Sequence, residues 1–216
     1  MKRFTTLALS IFMLLAVSTL HASEKGSMMK DSAMMDEMPA SMAKSYEIDA
    51  AHSTLGFAIK HLGIGTTRGS FGTFEGNIVM DPEDPDAFDA VVTIDAASID
   101  TKNEGRDKHL RSDDFFGVET YPEISFKATG LKQEGAGTVI TGKLTMKDVT
   151  RTVSIPVEVS GPVQSPFGGE VIAIRGEFQL NRQDYNINWS KTMDSGGLVV
   201  ADMVNVIVEI EAHHKG

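Results

Sequence analysis

Residue types able to do chemistry are concentrated in one stretch. Arg106, Asp107, Lys108, His109, Arg111, Asp113 and Asp114 fall together and are followed at once by Phe115 and Phe116. A solvated loop has no use for two adjacent phenylalanines. A strand would not carry so many charges ahead of them. A short amphipathic helix or lid satisfies both facts, capped by Asn103 and with its aromatic end pressed into an apolar interior. Two uses are then open. The segment can plug one end of a β-barrel. Alternatively, Arg106, His109 and Arg111 hold a polar head while the phenylalanines meet an apolar tail.

The other reactive groups form weaker constellations. His213 and His214 are adjacent and would point apart on a strand. His52, His61 and His109 are far apart in sequence and lack His-x-x-x-His spacing. Zinc needs three or four converging ligands, so no metal site is expected. The chain has no cysteine, which removes disulfides and thiol nucleophiles, and no Gly-x-Ser-x-Gly motif. Asp113 with Asp114, or Asp100 with Asp107, could be an acid–base pair, but solvated loop charges are the simpler account. No catalytic residue is expected, and the chain reads as a binding protein, not an enzyme.

The N-terminal segment sets the compartment. Lys2 and Arg3 precede an apolar run from Leu7 to Val17, and His21-Ala22-Ser23 resembles a cleavage site. Residues 1–22 are expected to be a signal peptide, because the apolar run is too short for a permanent anchor. No later run is long enough to span, so no stable membrane insertion is expected. Without cysteine, a lipid-modified N-terminus is excluded, and a bacterial periplasm is the expected location. The formal charge is −10; losing Lys2 and Arg3, with no acid among residues 1–22, makes it −12. That balance excludes nucleic acid and anionic membrane surfaces as general partners. Residues 23–44 hold Met28, Met29, Met34, Met35, Met38 and Met42 among small and charged residues. They are expected to be a flexible leader. The alternative function rests on them: clustered thioethers suit Cu(I), as in a copper-handling stress protein.

The elements that must position these groups begin near Tyr46. Leu55, Phe57 and Ile59 alternate along one strand, and a glycine-rich aromatic run from Arg68 to Gly76 suggests a strand that bends at its glycines. Asp89–Asp95 and Ile124–Ala128 are further strands. Thr138–Met146 and Thr152–Val159 form a hairpin about Lys147-Asp148. A loop is expected over Gly161–Gly169, then a strand over Val171–Leu180. The stretch Asn181–Trp189 is irregular, and Val204, Val206, Val208 and Ile210 mark a closing strand. About eight strands with short turns indicate an antiparallel sheet that closes into a barrel or packs as a sandwich. Residues 45–216 read as one domain. Phe57, Ile59, Phe71, Phe126, Leu144, Ile155, Phe178 and Val206 supply an inner face that either packs on itself or leaves a channel. An exposed closing strand could also pair with a second copy, giving a homodimer.

Many local stretches are similar to one family. They run in order from Ile48-Asp49 with His52-Ser53, through Phe57–Gly63, Arg68–Phe71 and Ala97–Thr101, to Arg106–Phe116 and Tyr121–Phe126. Thr141–Met146, Val149-Thr150-Arg151 and Asn181-Arg182 complete the set. Together they cover nearly all of residues 46–212, and the chain resembles the YceI-like family of exported bacterial lipid-binding proteins. It departs at Asn186, where members often carry glycine. The resemblance implies an all-β, lipocalin-like, elongated eight-stranded antiparallel β-barrel with a short helical lid. Its interior would hold an amphiphilic isoprenoid lipid or isoprenoid quinone, with no other cofactor. The inner face then becomes a channel, extended by Phe74, Phe115, Phe116 and Trp189. Arg106, His109, Arg111 and Arg182 become candidates for a diphosphate or quinone head, unless neighbouring Asp107, Asp113, Asp114 and Asp184 pair with them.

Overall fold

Alternation from Lys44 to His214 becomes eleven strands in one antiparallel sheet. The structure, a computed structural model, describes residues 42–81, 83–135, 137–194 and 196–214. The expected signal segment and nearly all of the methionine-rich leader lie outside the described residues. In order the strands are β1 (Lys44–Ile48), β2 (Thr54–His61), β3 (Gly65–Phe71), β4 (Phe74–Asp81), β5 (Asp84–Asp95) and β6 (Ile99–Asp100). Helix α1 (Glu104–Arg111) follows, then β7 (Glu123–Glu134), β8 (Gly137–Met146), β9 (Val149–Gln164), β10 (Glu170–Asn181) and β11 (Val200–His214). No helix among the described residues is long and apolar enough to cross a membrane.

Eight strands close a ring in the order β1, β4, β5, β7, β8, β9, β10, β11, and β11 returns to β1 through Ile48 opposite Ala212. Closure selects the barrel over the sandwich. The same edge of β11 is continued by β2, from Thr54 opposite Glu209 to His61 opposite Val200. Strand β3 pairs with β2 and then with the two-residue β6, not with β5. The glycine-rich run therefore breaks at Gly72-Thr73 into two strands that serve different ends of the barrel.

Turn chemistry fixes several joints. Lys147 and Asp148 both adopt positive φ, 47° and 61°, the tight hairpin geometry that matches strand twist. The loop expected over Gly161–Gly169 is shorter than that. Strand β9 runs on to Gln164, absorbing Gly161-Pro162 as a bulge opposite Ile172, a position that tolerates a proline without a ladder donor. Strand β11 has both edges paired, so it offers no free edge to a second copy.

The interior is divided. Tyr46, Ile48, Phe74, Ile78, Met80, Phe88, Ile172 and Ile210 pack into a solid cluster at the end closed by β1 and β4. A second cluster of Ala96, Ile124, Leu144, Met146 and Tyr185 is rimmed by Phe71, Phe116, Phe126 and Phe178. Between and beyond these clusters the barrel is hollow.

Candidate functional site

The hollow is a cavity of about 360 Å³, within the ordinary range for small-molecule sites. Strand register builds one wall as parallel rungs. Phe178, Val206 and Phe57 stand side by side across β10, β11 and β2, and Leu180, Val204 and Ile59 form the next rung. Val208, Leu55 and Phe71 form a third, carried on to β3. The facing wall comes from β5, β7 and β8, where Val92 stands opposite Phe126, Phe126 opposite Leu144, and Ile94 opposite Ile124. Because side chains alternate, each inward position on these strands adds apolar surface to the hollow.

Two glycines admit the large rings. A Cβ on Gly69 would meet Phe57 Cζ at 2.6 Å, and one on Gly142 would run into the Phe126 ring. Each phenylalanine ring therefore occupies the place where a neighbouring strand carries no side chain.

The mouth lies beside α1. Asn103 caps the helix, its Oδ1 accepting from the Arg106 amide at 2.9 Å. Beyond Arg111 the chain turns Phe115 and Phe116 inward, and Phe116 meets Phe71 edge-on at 5.7 Å between centroids. Phe115 packs on Trp189, and the His109 ring stands edge-on to both, at 5.0 and 5.3 Å. His109 Nε2 lies 2.9 Å from Asp114 Oδ2, which fixes the ring against the aromatic pair.

Eleven of the twelve apolar residues expected at the channel line it: Phe57, Ile59, Phe71, Phe115, Phe116, Phe126, Leu144, Ile155, Phe178, Trp189 and Val206. Phe74 does not. It is buried opposite Ile94 on β5, as a member of the packed cluster that also holds Tyr46, Ile48 and Ile78.

The cationic residues divide differently. Arg106 and His109 line the cavity mouth. Arg106 is tied by its guanidinium to Thr101, donating to Oγ1 at 2.7 Å and to the carbonyl at 2.8 Å. Arg111 does not line the cavity. It donates to the carbonyls of Ala97 and Ile99 at 2.6 and 2.7 Å and fastens the helix to β6. Arg182 touches the cavity but is 3% exposed. Its guanidinium donates to the carbonyls of Ile187 and Ala201 and to the Asp202 carboxylate. Burial pulls its pKa below the ordinary guanidinium value, while Asp202 opposes that effect. Arg111 and Arg182 are thus structural clasps, and their partners are mainly carbonyls, not the neighbouring aspartates weighed from sequence. Aspartate enters elsewhere: buried Asp107 accepts from the amide and hydroxyl of Thr101.

Two polar residues at the mouth escaped the sequence reading. Lys60 and His61, at the end of β2, line the cavity and are exposed. They sit where an apolar alternating strand ends, and that position was the available signal. Asn186, the departure from the family pattern, takes φ 58°, the left-handed region that asparagine tolerates best after glycine.

The YceI-like domain model matches residues 46–212. A UPF0312 protein of Photorhabdus laumondii is 37% identical over 156 residues, covering 71% of this chain and 81% of that protein. BcnA of Burkholderia cenocepacia superposes with a TM-score of 0.66 at 26% identity, covering 76% of this chain and 98% of that one. A polyisoprenoid binding domain from Saccharophagus degradans, implicated in plant cell wall breakdown, shares the fold. Its TM-score is 0.60 at 16% identity, over 79% of this chain and 99% of that one. A family match across the whole barrel, with relatives alike in sequence and in fold, makes this chain a member of the YceI-like family.

Proposed function

We propose that this protein is an exported carrier that holds the tail of an isoprenoid lipid or isoprenoid quinone inside the barrel. The observation that carries the reading is the apolar hollow at one end of an otherwise packed interior. The binding property in the name of the Saccharophagus domain supports it by likeness of fold. Binding, not turnover, is the proposed activity. The reading of residues 1–22 as a signal peptide places the carrier in the periplasm.

Magnitudes favour a tail over a small polar ligand. Each buried methylene contributes about 0.8 kcal/mol, so some ten buried carbons contribute about 8 kcal/mol. Micromolar affinity corresponds to about 8 kcal/mol, and ordering costs subtract from the gross figure, so a tail longer than ten carbons is expected. The polar head would sit at the mouth, near Lys60, His61 and His109, with Arg106 behind them. Arg111 and Arg182 leave this role because their donors are already engaged.

The test is extraction of the purified full-length protein with organic solvent, followed by mass spectrometry. The expected result is a stoichiometric isoprenoid lipid or quinone. Repeated recovery of no lipid, with no uptake from added isoprenoid quinone, would sink the proposal.

A further inference from the structure

Sequence distance hides a second cluster, away from the cavity. Asp49 follows β1, while Glu211 and His213 lie two apart on β11. Inward-facing Ile210 and Ala212 are buried, so Glu211 and His213 face outward on the seam where the barrel closes. His213 Nε2 lies 3.0 Å from Glu211 Oε1 and 3.5 Å from Asp49 Oδ2. One ligand atom from each of the three residues falls within 4.8 Å of the others. Tetrahedral coordination with bonds of about 2.0–2.1 Å places neighbouring ligand atoms about 3.3 Å apart. The two measured separations straddle that value.

The surroundings hold these atoms in place. The Asp49 amide donates to the Glu211 carbonyl at 2.9 Å, and the Glu211 amide donates to Ser53 Oγ at 2.9 Å. Asp49 Oδ1 is occupied by the Ala51 amide at 2.9 Å, which leaves Oδ2 aimed at the cluster. His52 Nδ1 stands 2.9 Å from that same Oδ2. Glu47 stands opposite His213 in the strand register. Two carboxylates thus converge on one imidazole nitrogen that carries at most one proton.

We propose that Asp49, Glu211 and His213 form a site for a borderline transition-metal dication of the Zn²⁺ class, bound by two carboxylate oxygens and one imidazole nitrogen. The imidazole selects against Mg²⁺ and Ca²⁺, which prefer oxygen ligands alone. The fourth position is left for water. The dication bridges the turn after β1 to the closing strand β11. In a barrel without cysteine, it supplies the cross-link that a disulfide would supply elsewhere.

The probe is Zn²⁺ added to the untagged full-length protein, read by calorimetric titration and by thermal unfolding. One ion per chain is expected, and at about a hundredfold excess over Kd, Tm should rise on the order of 5 °C. His213→Gln and Asp49→Asn should each weaken Zn²⁺ binding at least about tenfold. His214→Gln should retain it, because His214 Nδ1 lies against the Ser45 carbonyl instead. Circular dichroism of the metal-free variants checks that each still folds. Should one variant fail to fold, the other decides. Unchanged binding in the variant that folds, no binding by the parent chain, or an equal Tm rise with Mg²⁺ overturns the site. None of these results bears on whether the cavity holds lipid.

Discussion

Arg182 donates to the carbonyls of Ile187 and Ala201 and pairs with Asp202, all from a side chain that is almost wholly buried. A sequence displays an arginine near an aspartate and a tryptophan, and head-group recognition is a reasonable expectation for it. Whether its donors are free depends on which backbone carbonyls arrive beside it, and carbonyls have no signature in residue type. The consequence is a prediction that separates two roles. Arg182→Met keeps the volume but strands two carbonyls and a partly buried carboxylate, and should cost about 3 kcal/mol. Urea unfolding measures the loss. Lipid affinity of the folded variant should stay within about threefold of the parent, since no head-group contact is removed. A large loss of affinity with unchanged stability would return Arg182 to the ligand site.

Helix α1 is short, and its surroundings hold it more than its propensity does. Asn103 satisfies an amide at its start, Arg106 and Asp107 both engage Thr101, and Arg111 reaches back to β6. Removing the cap isolates one of these supports. Asn103→Ala should lower stability by about 1 kcal/mol. It should also speed amide exchange in α1 before the barrel strands are affected, because the helix is not part of the closed ring. Hydrogen-exchange mass spectrometry reads both effects, and uniform exchange across the chain would contradict them. Local signals of this sort were legible in the sequence: the Asn103 cap, the Lys147-Asp148 turn and the alternation along most strands. Signals that depend on pairing were not. That β3 meets β6, that Phe74 joins the packed cluster, and that His213 lies beside Asp49 all depend on which distant strands pair, and the last on closure of the ring. Closure joins residues more than 150 positions apart, as with Glu47 and His213. The apolar lining was legible because one face of each strand identifies its members without specifying their partners.

For the whole molecule, the decisive feature is the division of one barrel into a solid end and a hollow end. An ordinary core is close-packed, and deleting a large side chain from it is costly. A hollow behaves in the opposite way, because an added side chain fills space and displaces no neighbour. The two ends can therefore be told apart by paired substitutions. Phe74→Ala opens the packed cluster and should cost about 3–5 kcal/mol, yet leave lipid content per folded molecule unchanged. Val206→Phe inserts a ring into the rung between Phe178 and Phe57. It should leave stability equal or raise it by about 1 kcal/mol, as cavity-filling changes do, while abolishing lipid retention. Thermal unfolding and mass spectrometry of solvent extracts measure both properties on the same samples. If Val206→Phe unfolds the barrel, the hollow is not open space in solution. If that variant folds and still carries lipid, the ligand lies outside the barrel, and the division between the two ends has no part in binding.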